Sequence, residues 1–316
     1  MTEVESHQQD ECPLVSIIVI TYNSSKYVLE TLESARAQTY QKLELIISDD
    51  CSTDNTVEIC RKWLSENKDR FVNTELLIAE KNTGIPANCN RGVKAAKGEW
   101  VKLIAGDDAM LEDCIEYYVK CINISPTKSV LFSNTEIYLE KFESQFKKPI
   151  YPVHNHKICD ENITASKQFE ILLRVNKIFT VTLFYKRIIF TQVGYFDESL
   201  RLWEDRPMLI KITKCGFKLH YVDFVSCKYR IRNSSISKSN IQLVSEFEIE
   251  KSKYYYKNYV KYLPPLERLA KKILLYRDII IDKYGNNNNR LINRIIYKSV
   301  SYPWVVILKY KRYKYI

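Results

Sequence analysis

The chain has 316 residues, 46% of them hydrophobic, with seven glycines, nine cysteines and a formal net charge of +10. That length and apolar share support a sizeable core in one large or two modest domains and argue against a low-complexity chain. The cysteines are odd in number and lack a C-x-x-C pair, which disfavours a disulfide framework or zinc site and fits single thiols in a reducing cytosol.

Residues 1–11 are polar and acidic, and the first apolar run, Val15–Ile20, is too short for the h-region of a signal peptide. No stretch reaches the roughly 18–20 uninterrupted apolar residues of a spanning helix. The chain is therefore expected in the cytoplasm, soluble or peripheral on a membrane.

Val15–Ile20, rich in β-branched residues, reads as a buried strand, and Val28, Leu32 and Ala35 recur at helical spacing. Leu43–Ile47 reads as a second strand. Asp54 suits the N-cap of a helix using Val57, Cys60 and Leu64. Glu75–Ala79 predicts a third strand, and Pro86 suits the first turn of a helix that runs to Lys97 and is stopped by Gly98. Trp100–Ala105 is a fourth strand, ending at Gly106-Asp107-Asp108. Repeated units of this kind predict a parallel sheet with helices on both faces.

The region 130–200 is less regular and includes a loop-like stretch, Lys147–Asn162. A helix is expected near 165–174, a strand at Val181–Tyr185, and a helix through Met208, Ile212 and Cys215 that ends at Gly216. Two short strands, Lys218–Val222 and Val225–Tyr229, follow. From 241 the pattern is helical, with breaks at Pro264-Pro265 and Gly285–Asn289.

In an open parallel sheet, ligands bind beyond the carboxyl ends of the strands. Thr21-Tyr22-Asn23, Asp49-Asp50 and Asp107-Asp108 all leave that edge. An Asp or Asn after a strand is ordinarily a turn residue or a cap. That reading strains at Asp107-Asp108, where adjacent carboxylates repel, and a divalent cation with oxygen ligands, Mg2+ or Mn2+, would relieve them. Glu204-Asp205 opens a helix; its carboxylates could satisfy first-turn N–H groups or supply a general base. Arg230 and Arg232 could be solvated edge charges or a diphosphate clamp. The chain has no G-x-G-x-x-G after its first strand, no P-loop motif and no G-x-S-x-G elbow, which disfavours dinucleotide oxidoreductases, P-loop NTPases and α/β-hydrolases.

In order, VSIIVITYN (15–23), LELIISDDCSTDNT (43–56), NTGIPANCNRGVKAAKGEWVKLIAGDDAM (82–110), WEDRPMLIKITKCGFKLHYVD (203–223) and YRIRNSSIS (229–237) resemble glycosyltransferase family 2. The resemblance covers 13–237. It implies an α/β GT-A fold, with a donor half (13–130) and an acceptor half (131–240), and transfer from a nucleotide-diphosphate sugar, UDP-linked by expectation, with inversion. Thr21, Tyr22, Asn23, Asp49, Asp50, Asn90, Asp107 and Arg230 would bind the donor, with Asp50 accepting a bond from the base. Asp108 and Asp107 would hold the metal, with Asp108 the direct ligand. Asp205 would be the catalytic base, with Glu204 beside it. Two departures stand out: Ala105 replaces a frequent third Asp, and Arg232 replaces a frequent His. They motivate an alternative, a non-catalytic module that binds a nucleotide sugar or glycan. A nucleotidyltransferase is disfavoured for want of a Gly-rich N-terminal loop.

The resemblance ends near 240. Residues 1–240 carry 32 basic and 32 acidic residues, so the whole +10 lies in 241–316, together with 12 of the 23 tyrosines. Ile292, Ile295, Ile296 and Val300 form a stripe interspersed with Arg290, Arg294 and Lys298, and Trp304–Leu308 precedes a Lys/Arg/Tyr-rich end. This composition predicts a helical extension that meets an anionic membrane surface through 290–316, on the inner face of the cell membrane. Packing on the catalytic domain is the competing reading, and nucleic acid is disfavoured because no recognised module accompanies the tail. A saccharide or lipid-linked saccharide acceptor, in surface polysaccharide synthesis, would agree with membrane attachment.

Overall fold

A computed structural model describes residues 12–148, 156–232, 244–284 and 291–313. The polar stretch 1–11, Pro149, Pro152 and His154, the run Ser234–Ser237 and the turn Gly285–Asn289 fall outside the described residues.

Strands β1 (Val15–Thr21), β2 (Leu43–Asp49), β3 (Asn73–Ile78) and β4 (Trp100–Ala105) alternate with helices α1 (Val28–Arg36), α2 (Thr56–Asn67) and α3 (Ile85–Ala95). The four strands pair in parallel in the order β3-β2-β1-β4. Period two sorts their side chains between the two faces. Ile17, Val19, Leu45 and Ile47 pack toward α1, α2 and α4 (Cys114–Ile124), whereas Ile18 and Ile46 pack toward α3 and later helices. Two charges sit inside this apolar frame and are satisfied locally. The Glu44 carboxylate accepts from Ser16 Oγ, Asn73 Nδ2 and the Lys97 amide, and Lys102 donates to the carbonyls of Val181 and Leu183.

Beyond β4 the sheet becomes mixed. It continues through β8 (Phe184–Lys186, antiparallel), β6 (Val130–Leu139), β9 (His220–Ile231, parallel to β6) and the two-residue β5 (Ala109–Met110), with β7 (Lys147–Lys148) pairing β6. The two short strands expected at 218–229 are one continuous strand, β9, whose register with β6 shifts near Asn134. The expected strand at Val181–Tyr185 is a 3-10 turn, Thr180–Thr182, followed by β8. Helices α5 (Ala165–Leu172), α6 (Ile188–Val193) and α7 (Asp205–Lys214) cover the same face as α3.

The C-terminal segment forms α8 (Glu246–Asn258), α9 (Pro265–Tyr284) and α10 (Leu291–Tyr313). A buried pair at 3.0 Å, Arg174–Glu267, ties α9 to the end of α5, and Tyr255 of α8 donates to the Leu173 carbonyl. No described helix is long and apolar enough to cross a membrane.

Candidate active site

The carboxyl ends of β1, β2 and β4 meet as expected, but their polar residues divide into two groups. One group builds the edge itself. Asp49 is buried, accepting from Thr21 Oγ1 at 2.7 Å and from the amide and hydroxyl of Ser52. Asn23, at φ +50°, accepts from the Thr53 amide at 2.8 Å and so joins the loops after β1 and β2. The Asp50 carboxylate accepts from Thr83 N and Oγ1, Gly84 N at 2.7 Å and Arg91 Nη2 at 3.2 Å. Its lone pairs are therefore largely spent on loop 82–84, leaving little capacity for the expected contact to a base. Arg91, which sequence reasoning missed, also donates to Asn88 Oδ1 and Thr83 Oγ1 at 2.9 Å each.

The others face open space, and Thr21 and Asp50 belong to both groups. A cleft of about 260 Å3 is lined by Thr21, Tyr22, Asp50, Asn88, Asp107 and Arg232, among others. Asn90 is not among its lining residues. Its amide donates to the Phe196 carbonyl and Glu198 and accepts from the Phe196 amide, bracing the loop before α7. Two residues along α3 turn a side chain by about 200°, so Asn88, rather than Asn90, lines the cleft. Gly84 opens α3 at φ +95°, with its missing Cβ position 2.5 Å from the Arg201 carbonyl oxygen. A side chain is excluded there twice over, by the backbone conformation and by contact.

Arg230 also departs from expectation. It is 3% exposed; its guanidinium donates to the carbonyls of Asp107 (2.8 Å) and Glu140, pairs with Glu30 at 2.9 Å and lies 3.8 Å from the Phe142 ring centroid. It is a clamp that fixes the Asp107-Asp108 turn, and Arg232 is the cation on the cleft wall. Arg232 Nε is 2.8 Å from Asp107 Oδ2.

The acidic pair is strongly perturbed. Burial raises the Asp107 carboxyl, an effect opposed by Arg232 and Arg230. Burial and then repulsion from Asp107 push Asp108 well above the ordinary range. Asp108 Oδ1 accepts from the Arg230 amide at 2.8 Å. This oxygen donor set fits a hard divalent cation, which would offset both the burial and the repulsion. No group of three or more His, Cys, Asp or Glu suited to a metal occurs among the described residues, so the protein would supply only part of a coordination shell.

A second, larger cavity of about 700 Å3 adjoins the first. Its lining includes Asp108, Asn176, Phe179, Trp203, Glu204 and Asp205. Glu204 lines both spaces. It occupies the N-cap position of α7 without making a capping bond, and Asp205 accepts from Asn176 Nδ2 at 3.1 Å. Burial and repulsion from Asp205 raise Glu204 to about 8, so it keeps its proton at neutral pH. The cleft and cavity thus place Asp107 on one side, Asp205 on the other, and Glu204 between.

Acids at the carboxyl edge of a parallel half-sheet lie beside a mixed half-sheet with its own cavity, an architecture that agrees with the expected GT-A fold. Residues 16–185 match the glycosyl transferase family 2 profile, and the chain belongs to that family. An uncharacterized glycosyltransferase of Rickettsia typhi is 28% identical over 76% of this chain and 71% of its own length. The Escherichia coli enzyme WfaP, a UDP-Glc:alpha-D-GlcNAc-diphosphoundecaprenol beta-1,3-glucosyltransferase, is 28% identical over 84% of this chain and 98% of its own. In fold, the chain is similar to S. aureus TarS residues 1–349 in complex with UDP-GlcNAc, with a TM-score of 0.61, 20% identity, and coverage of 92% of this chain and 80% of that one.

Proposed function

We propose that the chain moves a sugar from a nucleotide-diphosphate donor, UDP-linked by preference, to a saccharide hydroxyl with inversion. The observation that carries this reading is the meeting of two spaces at Glu204, with Asp107 lining one and Asp205 the other. The donor would lie in the smaller cleft, with Tyr22, Thr21 and Asn88 around its nucleoside and Arg232 toward its diphosphate. Asp108, with Asp107, would hold a Mg2+ or Mn2+ ion, which supplies charge neutralisation at the leaving diphosphate when bound. The acceptor would occupy the larger cavity. Asp205 would take the proton of its hydroxyl as the oxygen bonds to the anomeric carbon and the bond to the diphosphate breaks. Asn176 would orient the Asp205 carboxylate.

Membrane attachment belongs to the same reading. The described face of α10 exposes Leu291, Ile295, Tyr302, Val306 and Tyr310, within about 100° of one another on the helix, and Lys298 and Lys309 border them. With the charge of 241–316 this suits the anionic inner surface of a cell membrane, and a lipid-linked acceptor in surface polysaccharide synthesis.

The test is release of nucleoside diphosphate from a panel of nucleotide sugars, with and without Mn2+ and saccharide acceptors. Asp205→Asn is expected to lower kcat by about 10²–10⁴-fold with donor binding retained. Full turnover in that variant would overturn the assignment of the base.

A further inference from the structure

A helix on the surface of a soluble protein ordinarily turns its charges outward and its apolar stripe to the core. Helix α9 reverses that pattern. Its acids Glu267 and Asp278 are buried and paired. Glu267 accepts from Arg174 Nε at 3.0 Å and Nη2 at 3.1 Å, and Asp278 accepts from Arg277 Nε at 2.8 Å. The outward side carries Leu266, Leu269, Tyr276 and Ile280, each between 47% and 54% exposed, with Ile273 half-buried among them. At one turn per 3.6 residues these five fall within about 80° of one another, a strip about 20 Å long roughly opposite Glu267 and Asp278. Basic residues border it. Lys272 and Lys283 lie within about 40° of Tyr276 around the helix, and Arg268 follows. Lys272 Nζ is 6.0 Å from the Tyr276 ring centroid. The third acid of α9, Asp282, is exposed but lies about 120° from Tyr276.

We infer that this strip of α9 rests in the head-group region of an anionic bilayer, as a membrane-contacting face separate from the one on α10. Its aliphatic side chains would sink below the head groups, with Tyr276 at their level and the lysines against lipid phosphates. A second copy of the chain is the other occupant that apolar residues at alternating spacings of three and four would suit. Such a pair needs acids to answer the flanking lysines, and no acid of α9 borders the strip. The inference rests on the reading of the C-terminal segment as membrane-attached and assigns it a second helix.

The test is flotation of the full chain with vesicles of equal parts phosphatidylcholine and phosphatidylglycerol, and with phosphatidylcholine alone. In Leu269→Ser/Tyr276→Ser/Ile280→Ser the partition coefficient on the mixed vesicles is expected to fall at least about tenfold. Lys272→Glu/Lys283→Glu leaves the apolar strip intact; it is expected to lose about tenfold on mixed vesicles and less than about twofold on neutral ones. Unchanged partitioning in the serine variant, or equal losses of the charge variant on both vesicles, would overturn the inference. If serines at Tyr302, Val306 and Tyr310 lower partitioning and those on α9 do not, the α9 face falls while the membrane reading stands. No flotation of the unaltered chain would overturn both. Sedimentation equilibrium without vesicles is expected to show a monomer. A dimer that the α9 serine variant dissociates would give the strip to a second copy and overturn the lipid assignment.

Discussion

Glu204 and Asp205 are neighbours in sequence, yet the fold gives them different surroundings. Asp205 has the Asn176 amide as a partner, whereas Glu204 is held at the junction of two cavities with its carboxyl raised to about 8. A carboxyl raised in the folded state above its unfolded value of 4.5 favours folding only while protonated, so its contribution is lost as pH climbs from about 4.5 through 8. Glu204→Gln removes that ionisation. The variant should match the unaltered chain in thermal stability near pH 4.5 and exceed it by up to about 5 kcal/mol at pH 9. A stability difference that does not grow between those pH values, measured by calorimetry, would contradict the assigned surroundings. At this scale the sequence carries the two acidic pairs well, because each is local and sits at a strand end or helix start. It carries Asn88 against Asn90 and Arg232 against Arg230 poorly. Helix phase decides the first, and the second turns on which arginine is covered by Glu30 and Phe142 from distant segments.

The helix α3 is open to single-residue damage at its start, because its first turn also forms the rim of the proposed donor cleft. Gly84 donates its amide to Asp50 at φ +95°, against the Arg201 carbonyl. Gly84→Ala should cost about 1–3 kcal/mol of stability through backbone strain, with further loss from the contact, and should raise the donor KM more than the acceptor KM. Equal changes in both constants would detach loop 82–84 from the donor. Among the elements, β1 to β4 are legible because their apolar runs are short, β-branched and bounded by turns. The strand β6 is not, since Ser133, Asn134 and Thr135 interrupt its apolar pattern. They are tolerated because Ser226, Tyr221 and the Cys227 carbonyl of β9 bond to them, a pairing visible only in three dimensions. The helix α4 has a readable spacing in Ile115, Tyr118, Val119 and Ile122, and sequence reasoning passed over it.

Across the sequence, charge is segregated, and the segment 241–316 carries the surplus. If α10 meets a bilayer, its exposed aromatic and aliphatic side chains should contribute along with its lysines. Tyr302→Ser, Val306→Ser and Tyr310→Ser combined should lower the fraction bound to anionic vesicles at least about tenfold, since burying each such side chain is worth about 1 kcal/mol or more. Donor turnover in solution should be unaffected. Unchanged flotation with vesicles would remove the membrane role from this face. That α9 and α10 form helices is legible from apolar spacing; that they enclose a cavity with Trp203 is not, because its walls come from four segments.

The loop that ends at Asp205, the proposed base, is fastened to the loop that borders the proposed donor cleft. Arg201 donates to Asn82 Oδ1 at 2.9 Å, and the Ile85 amide donates to the Arg201 carbonyl at 2.8 Å. The consequence concerns redesign. Exchanging the acceptor-side segments of this chain for those of another transferase cuts through a clasp whose other half lies in the donor-side sequence. A chimera that keeps residues 82–85 and 201–205 together is expected to preserve the alignment of the proposed donor cleft with Asp205. One that splits them must rebuild that alignment before any new sugar preference can be expressed.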